Sequence, residues 1–286
     1  IFHAVNPDVF VDNHVSNGAD YQYALTHLFT QHNKLGGNLG SFLQNEMRPQ
    51  IEASLQDKGI NITPYVNVWG NTPEAGWSQF FDSPRYSTGY TTLFHTLGLM
   101  VETHMLKPYK IRVEQTYELL FSTFDFAEKN SKKIKDLRAK ATDKILAKKK
   151  YPIEFTVDKE NYRTLNFKGY EGEMIDSKVT NGQRLFYDKN KPFDKEVNYY
   201  DEFTATKEIT IPNAYVLPKG WHDIIERLNN NKIEYTKLEK DTVISVTVNH
   251  IKDYETRNSP YEGHYLHYNT SIVASVENIN FKKGDL

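Results

Sequence analysis

The chain has 286 residues, a net formal charge of −2, 25% charged residues and no cysteine. This length allows a sizeable core and two domains of ordinary size, and the near-neutral charge provides no basic field that would attract nucleic acid or an anionic membrane. The lack of cysteine excludes a disulfide framework, a thiol nucleophile and a thiolate metal site, and no stretch is long and apolar enough to predict a membrane span.

The first predicted strand covers residues 8–14, which are apolar and β-branched before the sequence turns polar. We expect this strand to be buried and to end in potential ligands, because Asp12 and His14 are two residues apart and therefore lie on the same face of a strand. A turn at residues 16–18 follows. The period of two in residues 21–29 predicts the next strand.

Residues 41–96 are predicted to contain two helices, a strand and a long loop. Apolar residues at helical spacing predict a helix over residues 41–58, which Pro49 should kink or split and Gly59 should end. Residues 63–69 predict a strand, and residues 70–85 predict a long loop of the kind that often carries function. A short helix over about residues 87–96 should lead into the next strand.

An almost uninterrupted apolar run over residues 93–104 ends in a carboxylate and an imidazole. Such a run predicts a strand buried on both faces of an α/β sheet, and such sheets build their sites at the carboxyl ends of their strands. A buried carboxylate is costly unless it is paired, protonated or used in catalysis. Glu102 is therefore the first candidate catalytic residue.

The second half of the chain is predicted to contain a long helix and then mostly strands. Pro108 begins an amphipathic pattern that continues to residue 146, with a lysine-rich end that favours a solvated helix C-terminus. Strands are predicted at residues 153–157, 161–167, 207–211, 232–238 and 241–248, with one helix at about residues 219–228. The sequence thus predicts an α/β domain over residues 1–150, closed by the long helix, and a mainly antiparallel, β-rich accessory domain over residues 151–286.

Two segments carry a resemblance to a known family. The segment FVDNH at residues 10–14 and the segment GLMVETH at residues 98–104, followed by LKPY at residues 106–109, resemble two motifs of the zinc carboxypeptidase family (carboxypeptidase A-like), in the form of its large bacterial members. The resemblance implies that His14 is a zinc ligand and that Glu102 activates water and then protonates the departing amine. It also implies a mixed sheet, a peptide or protein C-terminus as substrate, and an exported protein.

The resemblance extends to the loop before the Glu102 strand. In the family, a mobile loop in this place brings a tyrosine to the substrate, and the matching region here contains Arg85, Tyr86 and Tyr90. The resemblance implies that either Tyr86 or Tyr90 contacts substrate and that Arg85 holds a substrate carboxylate through a bidentate fork. Loop anchoring and packing are the alternative roles for these residues.

The chain departs from the family in its zinc ligands. The other two ligands of the family come from an upstream His-x-x-Glu motif, and none of the ten histidines here is followed by Glu three residues later. A catalytic zinc takes three protein ligands and a water, so His14 alone leaves the site incomplete. The resemblance covers roughly residues 1–130, the second half of a catalytic domain. We therefore expect a fragment of a zinc metallocarboxypeptidase that is inactive alone and that self-associates or pairs with the missing upstream half through an open sheet edge.

Two other functions compete with this hypothesis. A noncatalytic protein on the same scaffold would bind peptide or glycan through its tyrosine-rich loop and would need no metal. A two-carboxylate glycosidase would need a second buried acid near Glu102, and the sequence nominates none. The gene sequence upstream of Ile1 separates the first two, because only the enzyme requires His-x-x-Glu there.

Overall fold

The computed structural model describes residues 1–286, which divide into two compact units. One unit comprises Phe2 and Ala4–Ile211, and the other comprises Ile1, His3 and Pro212–Leu286. The first unit therefore continues well past residue 150, where the sequence analysis placed a domain boundary. The strands that follow the long helix share an aromatic core with the N-terminal half, and this shared core makes the first unit larger than predicted.

The structure contains seven α-helices and eleven strands. The helices are α1 (Phe2–Val5), α2 (His32–Leu35), α3 (Gly37–Phe42), α4 (Arg48–Asp57), α5 (Ser87–Thr92), α6 (Tyr109–Leu146) and α7 (His222–Asn230). The strands are β1 (Val9–Ser16), β2 (Leu25–Phe29), β3 (Ile62–Pro64), β4 (Trp77–Ser78), β5 (Leu97–His104), β6 (Lys150–Val157), β7 (Arg163–Asp176), β8 (Gln183–Tyr200), β9 (Phe203–Thr210), β10 (Thr242–Thr256) and β11 (His267–Phe281). None of the helices combines the length and apolar character that a membrane crossing requires.

The first sheet of the large unit is mixed and has the strand order β1-β5-β2-β3. Strand β5 is parallel to β1 and antiparallel to β2, and all eight of its residues are buried. The predicted buried strand before Glu102 is confirmed, but it begins at Leu97 because the preceding residues close the turn after α5. His95 adopts a left-handed backbone conformation there (φ 54°), and the Thr96 amide donates to the Thr91 carbonyl.

Strand β1 lies at the edge of this sheet, so the prediction that it is buried was wrong. No strand pairs with β1 on the side away from β5. Consequently Asn13, His14 and Val15 are exposed, and only Ser16 at the end of the strand is buried. The apolar residues of β1 correctly predicted a strand. Its edge position depends on whether another strand pairs with it on its second side, and the pattern of its own residues does not show this.

The two faces of the first sheet differ in character because successive strand residues alternate between them. One face of β5, with Leu97, Leu99 and Val101, packs into an apolar core that also contains Leu119 and Phe126 of α6. The opposite face carries Asp12 and His14 from β1 and Glu102 from β5. The helices α4 and α6 therefore stabilise the sheet from one side and leave the other side for polar side chains.

The helical segment before β3 is split as Pro49 predicts. Helix α3 ends at Phe42, a π-helical turn covers Leu43–Met47, and α4 begins at Arg48. Proline lacks an N–H and its ring clashes with the carbonyl of residue i−4 of a regular helix, and the wider π turn accommodates both effects. Helix α4 is followed by Gly59, whose φ of 73° suits a residue just past a helix C-terminus.

The remaining strands of the large unit are mostly antiparallel. Strand β8 pairs antiparallel with β7 and parallel with β4, and β6 pairs antiparallel with β9. An aromatic core joins β7 and β8 to residues of the N-terminal half; it includes Tyr21, Tyr23, Trp77, Phe167 and Tyr199. The Gln22 side-chain amide ties the two parts further, since it donates to the carbonyls of Gly169 and Phe193, each at 2.9 Å.

The smaller unit contains an antiparallel hairpin and one helix. Strands β10 and β11 pair antiparallel over most of their length, and α7 is the helix predicted near residues 219–228. The strand predicted at residues 232–238 is absent, because this stretch is an irregular connection. The prediction of a mainly antiparallel C-terminal region is confirmed.

Candidate functional site

His14 and Glu102 are register partners on the parallel strands β1 and β5. Side chains at matched positions of neighbouring strands lie on the same face of a sheet, so the imidazole and the carboxylate share one surface. Thr26 of β2 is the partner of Glu102 on its other side, and its hydroxyl donates to the Glu102 carbonyl at 3.1 Å. The backbone of Glu102 is thus fixed between two strands, and its side chain leaves the sheet on the face opposite α6.

The Glu102 carboxylate has an unusual electrostatic environment. The residue is 8% exposed, and its Oε2 atom is buried without a hydrogen-bond partner. Burial raises the pKa of Glu102 to about 7; the His14 imidazole opposes this shift and the Asp12 carboxylate adds to it. A carboxyl group with a pKa near neutrality can both accept and donate a proton under ordinary conditions.

Asp12 orients the His14 ring. The Asp12 Oδ2 atom lies 2.9 Å from His14 Nε2 and also accepts a hydrogen bond from the Ser87 hydroxyl at the start of α5. Burial disfavours the ionised form of Asp12, but the hydrogen bonds from Ser87 and His14 outweigh it and lower the pKa of Asp12. The hydrogen-bonded series Ser87–Asp12–His14 therefore occupies Nε2 of the imidazole and leaves its Nδ1 atom for another partner.

The negative charge of Glu102 acts on two tyrosines. Burial and the negative charge of Glu102, together with Tyr86, raise the pKa of Tyr65 to about 12. Burial also raises the pKa of Tyr21 well above its usual range, and Glu102 contributes to that shift. Both phenols therefore remain protonated at neutral pH; Tyr21 is buried with its hydroxyl 3.4 Å from Ser16 Oγ, whereas Tyr65 is only half-buried.

The two tyrosines that the sequence offered as substrate contacts both lie at α5. Tyr86 is half-buried at the N-cap of α5, where its ring meets Phe80 edge-on at 4.9 Å and contributes to the electrostatic environment of Tyr65. Tyr90 instead packs against Phe94, with ring centroids 5.2 Å apart. Arg85 is exposed in the loop just before Tyr86. Each tyrosine thus has an aromatic packing contact, and Tyr86 also contributes to the electrostatic environment of Tyr65.

Two glycines fix α5 against its surroundings. A Cβ atom at Gly89 would lie 2.0 Å from the Ser83 carbonyl oxygen, and one at Gly98 would lie 2.5 Å from the Thr30 hydroxyl and 3.1 Å from a Thr88 methyl. The loop that contains Arg85 and the helix that follows it thus pack directly on each other and on β5. This close approach sets the position of Tyr86 relative to the sheet.

The residues present do not form a complete zinc site. No group of three or more His, Cys, Asp or Glu side chains is arranged to hold a metal ion. His14 has Asp12 as its only carboxylate partner, and a catalytic zinc needs three protein ligands with one open position.

Sequence reasoning identified Glu102, His14 and Asp12 but missed Tyr21, Tyr65 and Ser87. Glu102 and His14 each close an apolar strand, which is a local signal. Tyr21 and Tyr65 lie in irregular stretches beside short strands, and only the folded chain brings them to Glu102. The one available signal was the high tyrosine content, which does not say which of the 19 tyrosines is involved.

Comparisons with protein-family models, with curated proteins and with solved structures found no match to this chain.

Proposed function

We propose that this chain carries the acid/base part of a zinc carboxypeptidase-type hydrolase, which removes residues from the C-termini of peptides. The observation that supports this most strongly is the buried Glu102 carboxylate, with a pKa of about 7 and a free Oε2 atom, beside the register-matched His14. A general base works best when its pKa lies close to the working pH.

Glu102 performs both proton transfers in the proposed reaction. Its Oε2 atom accepts a proton from the attacking water, and the same carboxyl group then donates that proton to the nitrogen of the departing amine. Tyr65, which stays protonated, donates a hydrogen bond to an oxygen atom that gains negative charge. Tyr86 contacts the substrate side chain, and Arg85 at the exposed rim binds its terminal carboxylate.

In this proposal His14 contributes one ligand to a shared metal site. The other two ligands belong to a His-x-x-Glu segment that is not among these residues. Because the chain does not complete the site, the steps above are assigned only to its own side chains.

The shape of the large unit supports pairing with a complementary segment. Strand β1 has an unpaired edge next to His14, and the α6 residues beside it present apolar side chains to solvent, among them Tyr109 (74% exposed), Val113 (49%) and Tyr117 (58%). Contiguous exposed apolar surface beside an open sheet edge is typical of a contact surface. A segment that extends the sheet beyond β1 would bring its own ligands next to His14.

The test is to sequence the gene upstream of Ile1, express the product together with this chain, and assay release of C-terminal residues from peptides. We expect the 286-residue chain alone to be inactive, and the longer product to contain His-x-x-Glu, to bind zinc and to release residues. An upstream sequence without this motif, or a longer product that binds peptide without cleaving it, would overturn the proposal and favour a noncatalytic peptide-binding protein.

A further inference from the structure

A cavity of about 170 Å³ lies away from Glu102, between the C-terminal half of α6 and the connection from α2 to α3. Its lining contains five basic side chains and no carboxylate; the basic residues are Lys34, His95, Lys140, Lys144 and Lys148. A pocket lined by one sign of charge concentrates counter-ions of the opposite sign. This cavity is therefore suited to an anion.

Lys140, Lys144 and Lys148 have no carboxylate partner. Lys140 and Lys144 are four residues apart and lie on one side of α6, and Lys148 follows two residues after the helix ends at Leu146. The like charges of Lys140 and Lys144 repel each other. By contrast, Lys129 pairs with Asp125 at 2.6 Å, and Lys132 pairs with Asp136 at 3.0 Å. The three lysines at the cavity therefore carry charges that no carboxylate neutralises.

The other basic residues of the lining have different roles. Lys34 is neutralised by the buried Asp82 carboxylate, with Nζ and Oδ1 2.8 Å apart. The His95 ring is fixed, because its Nδ1 atom lies 3.0 Å from the Thr142 hydroxyl and its carbonyl accepts from Arg138 Nε at 3.0 Å. Burial lowers the pKa of His95, and the charges of Arg138 and Lys148 lower it further. The imidazole thus senses the positive field of the cavity.

A glycine pair opens the opposite wall. Gly36 and Gly37 have φ values of 72° and 54°, and a Cβ atom built on Gly37 would lie 4.0 Å from Lys144 Nζ. Because glycine has no side chain, one wall of the cavity is formed by the backbone of Gly36 and Gly37, and the lysine ammonium groups lie on the other wall. The cavity volume of about 170 Å³ equals that of about six waters at ~30 Å³ each, which is enough for a phosphate or a pyrophosphate ion.

We propose that this cavity is a binding site for a phosphate-type anion, held by Lys140, Lys144 and Lys148 opposite the wall formed by Gly36 and Gly37. The ligand is a compact group with at least two negative charges, either free in solution or as the phosphoryl group of a small monoester. Three ammonium groups match such a group as point charges, with few demands on its exact geometry. The site is independent of the proposed hydrolase function.

The experiment titrates the 286-residue chain with inorganic phosphate, pyrophosphate and phenyl phosphate, using calorimetry for the affinity and NMR for the His95 ring. We expect pyrophosphate to bind more tightly than phosphate, and bound anion to raise the pKa of His95 because it offsets the nearby positive charges. Tighter binding of phenyl phosphate than of inorganic phosphate would identify a monoester as the ligand, and the reverse would identify the free ion; both support the site.

Matched variants locate the binding. The triple variant Lys140→Gln, Lys144→Gln, Lys148→Gln should weaken pyrophosphate binding about tenfold or more. The control triple variant Lys129→Gln, Lys132→Gln, Lys135→Gln removes the same charge from a part of α6 away from the cavity and should leave the affinity nearly unchanged. Equal weakening by both variants, or wild-type binding that leaves the pKa of His95 unchanged, would overturn the proposal. A far-ultraviolet circular dichroism spectrum checks that each variant keeps its helix content.

Discussion

Glu102 faces His14 across the β1–β5 ladder, and its Oε2 atom has no hydrogen-bond partner although the residue is buried. A buried carboxylate oxygen without a hydrogen-bond partner destabilises the ionised form of Glu102. The protein therefore keeps an ionisable group in an environment that disfavours its charge. Ionisable groups with strongly shifted pKa values are concentrated at functional sites.

The carboxyl group of Glu102 should titrate at a pKa of about 7, compared with 4.5 for an ordinary glutamate. Replacement of Asp12 by Asn removes a negative charge that raises this pKa, so D12N should lower it. Replacement of His14 by Gln removes the group that opposes the shift, so H14Q should raise it. A carbon-13 NMR titration of the labelled carboxyl measures all three values, and a wild-type value near 4.5 would contradict the account.

The same pKa shift predicts that Glu102 makes the folded state less stable as the pH rises. Because the folded pKa is raised, the stabilisation from the protonated form is complete below pH 4.5 and is lost as the pH rises through 7. The variant Glu102→Gln cannot ionise, so it should match wild type at pH 4 and be more stable at pH 8 by about 2 kcal/mol, since residual solvent screens part of the effect. Urea unfolding at both pH values measures the difference; equal stabilities at pH 8 would count against a buried, ionised Glu102.

Glu52 should have the opposite pH dependence. Burial opposes its ionisation, but His27, with Nε2 2.8 Å from Glu52 Oε1, and Arg48 outweigh burial and hold the pKa of Glu52 at about 2. A lowered pKa gives stability that is present above pH 4.5 and lost as the pH falls towards 2. Glu52→Gln should therefore cost about 3 kcal/mol at pH 7 and much less at pH 2, as acid and urea unfolding can measure. A cost that does not change with pH would indicate a packing effect.

The surface beside β1 should make the chain self-associate at high concentration. Val113 and Tyr117 of α6 line a largely apolar groove with His14 and Val15 of the exposed strand edge. The double variant Val113→Glu, Tyr117→Glu should raise the concentration at which light scattering detects association by at least about tenfold. Val179→Glu, at a 91% exposed turn residue, is the control. A wild-type chain that stays monomeric at millimolar concentration would contradict this prediction.

Local patterns predicted most of the elements around the site. The eight buried residues of β5, the split at Pro49 and the single helix α6 all follow from hydrophobic periodicity and proline geometry. Glu102 and His14 were found because each follows an apolar run in its own strand. Each of these features depends on residues close together in the sequence, so a single sequence was sufficient to predict it.

Other features depend on long-range contacts and were missed. Strand β8 was not predicted, because Pro192 and charged residues interrupt its pattern, yet it pairs with β7 across a register shift near Tyr170. The extension of the first unit to Ile211 depends on packing of Phe167 with Tyr21 and Trp77, residues far apart in the chain. The exposure of β1 depends on which strand is absent next to it.

The rate at which the longer gene product releases C-terminal residues tests the central claim most directly, when wild type is compared with Glu102→Gln. Glutamine keeps the size of the side chain but cannot carry a proton between water and amine. We predict a zinc-dependent rate that falls by at least about a hundredfold in Glu102→Gln, while peptide binding is retained. A rate that is unchanged by this substitution would contradict the assignment of Glu102 as the acid/base residue.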